Sequence, residues 1–308
     1  MDIVVMFFLL GVIAGALQVR LPFPDSLYDT LTLLLMLAIG LKGGIALASH
    51  GQPALLGQAL LVVAFGCLLP LIAFVLLRQI GEIDRINSAA IAAHYGSVSV
   101  GTYAVAVAML ESQKVEYEAW FPLFVVLLEM PAIVVGILLA RGLRNQQGWG
   151  ALAHETLLSP GIVTMTGGLI IGVLAADQVS RIAPLFIGLF QGVLALFLLK
   201  MGLVAAAQLR ELRRYGPFLA SFGIAMPLIG ALGGLAVGWL CGFSVGGVTL
   251  MAVLGASASY IAVPAAMKLA LPQANAGVSI SASLGVTFPF NVMVGIPLYW
   301  LVCQWLID

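Results

Sequence analysis

Ala93-His94-Tyr95-Gly96-Ser97-Val98-Ser99-Val100-Gly101-Thr102-Tyr103 interrupts an apolar span with two glycines, two serines and a threonine. In hydrocarbon, loosened backbone persists only where protein buries it or where it lines an aqueous cavity, because unpaired N–H and C=O groups there are costly. The stretch therefore predicts a discontinuous helix at a binding site. A second stretch of the same kind, Gly255-Ala256-Ser257-Ala258-Ser259-Tyr260-Ile261-Ala262-Val263-Pro264, lies in the other half of the chain. Two interruptions at corresponding places predict one site built from both halves.

Working outward, the surroundings are those of a membrane protein. Of 308 residues, 62% are hydrophobic and 8% charged, with a mean hydropathy of +1.13, against roughly 25% charged residues in soluble domains. Thirteen basic and thirteen acidic residues balance, so no charged surface suggests nucleic acid or a disordered acidic tail. Cys67, Cys241 and Cys303 sit in apolar spans without metal-ligand spacing and read as small buried side chains. Residues 3 to 17 lack a basic leading segment and a small-residue cleavage site, so they read as a first helix.

Apolar spans fall at 3–19, 27–48, 54–79, 88–110, 117–141, 160–176, 184–207, 217–241, 245–271 and 278–306. Spans of this length predict an all-α polytopic protein of ten transmembrane helices, with helices four and nine discontinuous. The polar stretch Arg141 to Ser159 divides it into 1–145, a linker 146–159, and 160–308. Sliding the chain by the offset of Gly40 from Gly202 also places Ser97 on Ser259, Glu111 on Gln273 and Glu129 on Asn291. Five helices per half is an odd number, so the halves enter from opposite sides as an inverted 5+5 repeat. Loops after odd helices carry Arg20, Arg78, Arg85, Arg141, Arg144, Arg210, Arg213 and Arg214, whereas those after even helices carry Lys114 and Arg181. That bias predicts cytoplasmic odd loops and both termini outside a cell inner (plasma) membrane. Trp120, Trp149, Trp239, Trp300 and Trp305 fit anchoring at the lipid interface.

Three features bear chemistry. A half-helix starting inside the membrane points free N–H groups and partial positive charge into the cavity. With the nearby hydroxyls this predicts an anion site at Gly96, Ser97, Val98, Ser99, Gly101, Thr102, Ser257, Ala258, Ser259 and Tyr260; the competing reading is close helix packing through small residues. Glu129, mid-span in Leu127-Leu128-Glu129-Met130-Pro131, costs about 2.5 to 3.5 kcal/mol if charged, and the proline frees a carbonyl beside it. Carboxylate and carbonyl, with Thr287 and Asn291 at the matching place in the last span, predict a hard-cation site suited to sodium. The competing reading pairs Glu129 with Lys42 or Lys200. His94 is either a proton shuttle with Glu129 or a hydrogen-bonded helix contact, and Lys268 reads as snorkelling at a helix end.

His94-Tyr95-Gly96-Ser97-Val98-Ser99, Leu110-Glu111-Ser112, Tyr117-Glu118-Ala119-Trp120 and Glu129-Met130-Pro131-Ala132 resemble the sodium-dependent bicarbonate transporter family known from cyanobacteria. So do Ala256-Ser257-Ala258-Ser259-Tyr260, Leu271-Pro272-Gln273-Ala274-Asn275 and Gly295-Ile296-Pro297-Leu298-Tyr299. The resemblance implies a core domain moving against a gate domain, a homotrimer embedded in lipid, and bicarbonate and sodium bound between the crossing helices. Cyanobacterial members carry Asp in place of Glu129 and of Tyr260, and some bind a PII-like regulator; the short segment between the halves here does not imply that partner.

The residues and the resemblance together predict symport of a small anion, most simply bicarbonate, with sodium as coupling ion and no other cofactor. Alternatives are sodium- or proton-coupled transport of another small carboxylate, a sodium/proton antiporter, and a channel. An intramembrane enzyme is the rival from another class, but the sequence holds no His-Glu-x-x-His and no paired intramembrane acids.

Overall fold

A computed structural model describes residues 2–19, 21–50, 54–142, 150, 154, 157–212 and 215–307, and these form helices and turns with no strand among them. Arg20, Arg144, Arg213, Arg214, Trp149 and most of the linker 146–159 lie outside the described residues. The helices are α1 (Ile3–Ala16), α2 (Asp25–His50), α3 (Leu55–Gln79), α4 (Arg85–Gly96), α5 (Val100–Ser112), α6 (Phe121–Glu129) and α7 (Pro131–Arg141). The second half supplies α8 (Pro160–Leu174), α9 (Phe190–Leu212), α10 (Pro217–Leu240), α11 (Val245–Ala256), α12 (Ala262–Ala270) and a 31-residue helical run, α13 (Ala276–Leu306). Six helical runs are long and apolar enough to cross a membrane: Asp25–Ser49, Leu55–Gln79, Phe121–Arg141, Phe190–Leu212, Pro217–Leu240 and Ala276–Leu306. The chain is a multi-pass, all-helical membrane protein.

Local chemistry sets the boundaries. The Asp84 carboxylate accepts from the Ile86 and Asn87 N–H groups, both at 3.0 Å, and starts α4. Ser99 does the same for α5 through the Thr102 N–H at 3.1 Å, and Ser244 for α11 through that of Gly247 at 3.2 Å. Pro131, which cannot donate into the preceding turn, ends α6 at Glu129 and starts α7. In α13, π turns at Ser281–Thr287 and Asn291–Gly295 flank Pro289.

The helices sort into two groups. α1 packs along α9 and α2 along α8, with α2 also touching α9. Both seams are made of small residues. A side chain on Gly40 or Gly44 would overlap the carbonyl oxygen of Met165 or Leu169 on α8, and one on Gly11 or Gly202 would overlap that of Leu199 or Phe8 across the other seam. Backbone approach of this kind, at four-residue spacing, is how helices associate where lipid removes the hydrophobic incentive. The second group holds the interrupted helices: α3 packs on α4 and α10 on α11, with α7 and α13 against them.

Candidate binding site at the crossed helix breaks

Residues 97–99 separate α4 from α5, and residues 257–261 separate α11 from α12. The two extended segments meet and satisfy one another. The Ser259 N–H donates to the His94 carbonyl at 2.9 Å, and the Ser99 N–H to the Ser257 hydroxyl oxygen at 3.1 Å. The His94 ring lies 2.6 Å from the Ser259 carbonyl through Nδ1. A carbonyl only accepts, so Nδ1 carries the proton. Ser257 in turn donates to the Leu254 carbonyl at 2.9 Å. Each break thus supplies the partners that the other lacks, which is what hydrocarbon demands of non-helical backbone.

A small cavity of about 10 Å³ opens at this crossing, lined by Met36, Val98, Ser99, Glu129, Ser259 and Tyr260 among others. That is about the room for one water molecule. Glu129 is 4% exposed, and its carboxylate has no hydrogen-bond or ionic partner among the described residues. The Tyr260 hydroxyl is buried without a hydrogen bond, directed at Gly101, where a side chain would overlap it. A buried carboxylate and a buried hydroxyl, both unpartnered, face the N-terminus of α5.

The other expected residues divide. Thr102 closes the α5 cap, its hydroxyl donating to that of Ser99 at 2.9 Å. Ser97 donates weakly to the Glu129 backbone carbonyl at 3.3 Å. Val98 lines the cavity, Ala258 is buried, and Gly96 serves packing, since a side chain there would overlap Pro70. Thr287 and Asn291 stand apart from Glu129. Thr287 donates to the Gly223 carbonyl at 2.6 Å and therefore accepts from the Tyr95 hydroxyl at 2.8 Å. Asn291 donates to the Ala256 carbonyl at 2.8 Å and accepts from Tyr299 at 2.9 Å. These two polar positions of α13 brace the back of the crossing and share no cavity with Glu129 among those described.

Neither lysine reaches Glu129. Lys42 pairs with Glu111 at 3.0 Å and Lys200 with Asp25 at 3.2 Å, carboxylates that lie at the ends of α5 and α2. The expectation of a buried lysine partner is therefore replaced by two peripheral ion pairs. His94 lines a different cavity, of about 50 Å³, with Lys268, Ser279 and the start of α13, so it and Glu129 do not face a common space. Met36 has no polar signature in the sequence, and Tyr95 and Tyr299 stand there only as members of motifs; the crossing geometry brings them in.

A profile of the Na+-dependent bicarbonate transporter superfamily matches residues 3–304. The chain belongs to that superfamily. It is a transporter and not an enzyme, and sodium dependence is the property that gives the superfamily its name. No curated protein matches closely enough to add a second relative.

Proposed function

We propose that this transporter is a secondary active symporter that couples sodium entry to uptake of bicarbonate, through ten spans arranged as an inverted 5+5 repeat. The observation that carries the reading is the crossing itself: two breaks joined by reciprocal hydrogen bonds around a pocket where Glu129 and the Tyr260 hydroxyl lack partners. The carboxylate suits a sodium ion, and the α5 N-terminus with Ser99, Ser259 and Tyr260 suits an anion beside it. The helix pairings support the repeat, because exchanging the halves carries the α1–α9 seam onto the α8–α2 seam and the α3–α4 contact onto the α10–α11 contact. Shared small-residue seams within α1, α2, α8 and α9 support a rigid gate group against which the group holding the crossing moves.

The two larger cavities suit an access route from one end. A cavity of about 710 Å³ lies between α1, α5 and α13, with Asp2, Gln113 and Gln304 at its rim. A second, of about 290 Å³, lies between α2, α5 and α9 at that same end. Asp2 and Gln304 mark that end, so in the orientation proposed from the charge bias these cavities face outward. A homotrimer in the cell membrane with both termini outside completes the reading; tags at the termini should be labelled from outside only.

An antiporter exchanging sodium for protons is disfavoured by the separate cavities of Glu129 and His94. The deciding test is labelled bicarbonate uptake into proteoliposomes with and without an inward sodium gradient, beside a panel of small carboxylates. Sodium-stimulated bicarbonate uptake is the expected result. Uptake indifferent to sodium removes symport, and a response only to organic anions removes bicarbonate.

A further inference from the structure

Lys42 is the one charged side chain lining the cavity of about 290 Å³ between α2, α5 and α9. The rest of that lining is apolar, apart from the phenols of Tyr103 and Tyr117. The Lys42 ammonium lies 4.7 Å from the centre of the Phe190 ring and 3.0 Å from Glu111 Oε1. That same oxygen accepts from the Tyr117 hydroxyl at 3.0 Å. Glu111 does not line the cavity; it reaches Lys42 from the solvent edge, with a side chain 34% exposed against 23% for Lys42.

We propose that Lys42, Tyr103 and Tyr117 form an outer anion-binding site in which a bicarbonate-sized monoanion takes the place now held by the Glu111 carboxylate. The inference rests on the anion-transport reading and extends it to a second site on the same route. Glu111 shows the chemistry directly: a carboxylate oxygen, the group that bicarbonate itself presents, already bridges the ammonium and a phenol. An ion pair this exposed is weakly held, so exchange for a free anion is inexpensive. A third donor waits inside. The Tyr103 hydroxyl is on a side chain only 2% exposed and has no hydrogen-bond partner among the described residues. In the loop, burial and then the nearby Glu111 charge push the Tyr117 phenol well up, so its hydroxyl stays protonated and donates.

The position fits a relay. Ile39 lines this outer cavity, and Met36, one turn further along α2, lines the pocket at the crossing. Six residues of helix from Lys42 to Met36 put the outer site about 9 Å above the central one. An anion held by Lys42 needs only to move along one face of α2 to reach the α5 N-terminus.

The test is a comparison of two charge-removing variants, because a structural bridge and a capture site predict different signs. In reconstituted protein, K42M is expected to raise the half-saturating bicarbonate concentration for uptake about tenfold, and K42R to restore most of it. E111Q removes the competitor and is expected to lower that concentration. If K42M and E111Q shift it in the same direction, or neither shifts it, the outer site is refuted and the pair is a brace. If wild-type protein transports no bicarbonate, the transport reading fails, and thermal unfolding of solubilised protein in bicarbonate at fixed ionic strength decides the site alone. Stabilisation present in wild type and lost in K42M upholds it, and equal behaviour of the two overturns it.

Discussion

Replacing Glu129 by Gln keeps the shape and one oxygen while removing the charge, and the structure fixes the sign of two separate effects. Glu129 is 4% exposed, and Lys42 and Lys200 are both paired elsewhere, so no cation among the described residues compensates it. A charge at this depth costs about 2.5 to 3.5 kcal/mol on insertion scales. Without sodium, therefore, E129Q is expected to unfold at a higher temperature than wild type. Sodium closes most or all of that gap. Wild type gains about 2.7 kcal/mol at a sodium concentration one hundred times its dissociation constant, whereas the variant has lost an anionic ligand whose removal from a buried charge pair costs about 3 to 5 kcal/mol. That loss corresponds to a rise of about two to four orders of magnitude in half-saturating sodium. Thermal unfolding in sodium against choline, and sodium-dependent uptake of bicarbonate, measure both effects. A variant less stable than wild type in choline would mean that the carboxylate anchors the fold. One with unchanged sodium dependence would refute its role as a ligand.

Leu at Ser259, whose backbone joins the breaks and whose side chain lines the pocket, should abolish uptake while insertion persists; residual transport above one tenth of wild type would return the break to packing alone. G44A drives a methyl group into the Leu169 carbonyl, so it should lower the unfolding temperature, by about 1 to 3 kcal/mol of overpacking, and a neutral result would show that the α2–α8 seam yields. Slight burial pushes the Asp84 carboxyl up, but hydrogen bonds from the Asn87 side chain and the N–H groups of Asn87 and Ile86 outweigh it and hold the group below the usual carboxylate value. Its contribution is thus present above the unfolded value and lost as pH falls through the folded one, and D84A should cost about 1 kcal/mol at neutral pH and nothing in acid. Chemical denaturation at the two pH values checks both halves of that statement.

Much of this was legible in the chain. Hydropathy placed most of the helices to within a few residues, since apolar length is what a bilayer measures; the span read at 54–79 is α3 and that at 217–241 is α10, whereas the span read at 184–207 is displaced to Phe190–Leu212, α9. Gly and Ser runs marked both breaks, because small residues let the crossing segments approach and serine hydroxyls partner backbone N–H groups there. What remained hidden is pairing. Nothing in the spacing of Lys42 says that it meets Glu111, 69 residues away, and nothing in Thr287 or Asn291 says that Tyr95 and Tyr299 occupy their hydrogen bonds. The offset that aligned Glu129 with Asn291 grouped them as ligands, whereas the Asn291 amide is taken up by the Ala256 carbonyl and the Tyr299 hydroxyl.

The exchange of partners between halves also constrains how the molecule is made. α1 closes on α9 and α2 on α8, yet those partners leave the ribosome long after α1 and α2. During that interval Gly11 and Gly40 face no mating surface, and the Ser99 N–H and His94 carbonyl have not met the second break. The nascent first half is consequently a set of inserted helices awaiting a template, and the completed transporter assembles around the crossing only when α11 and α12 arrive.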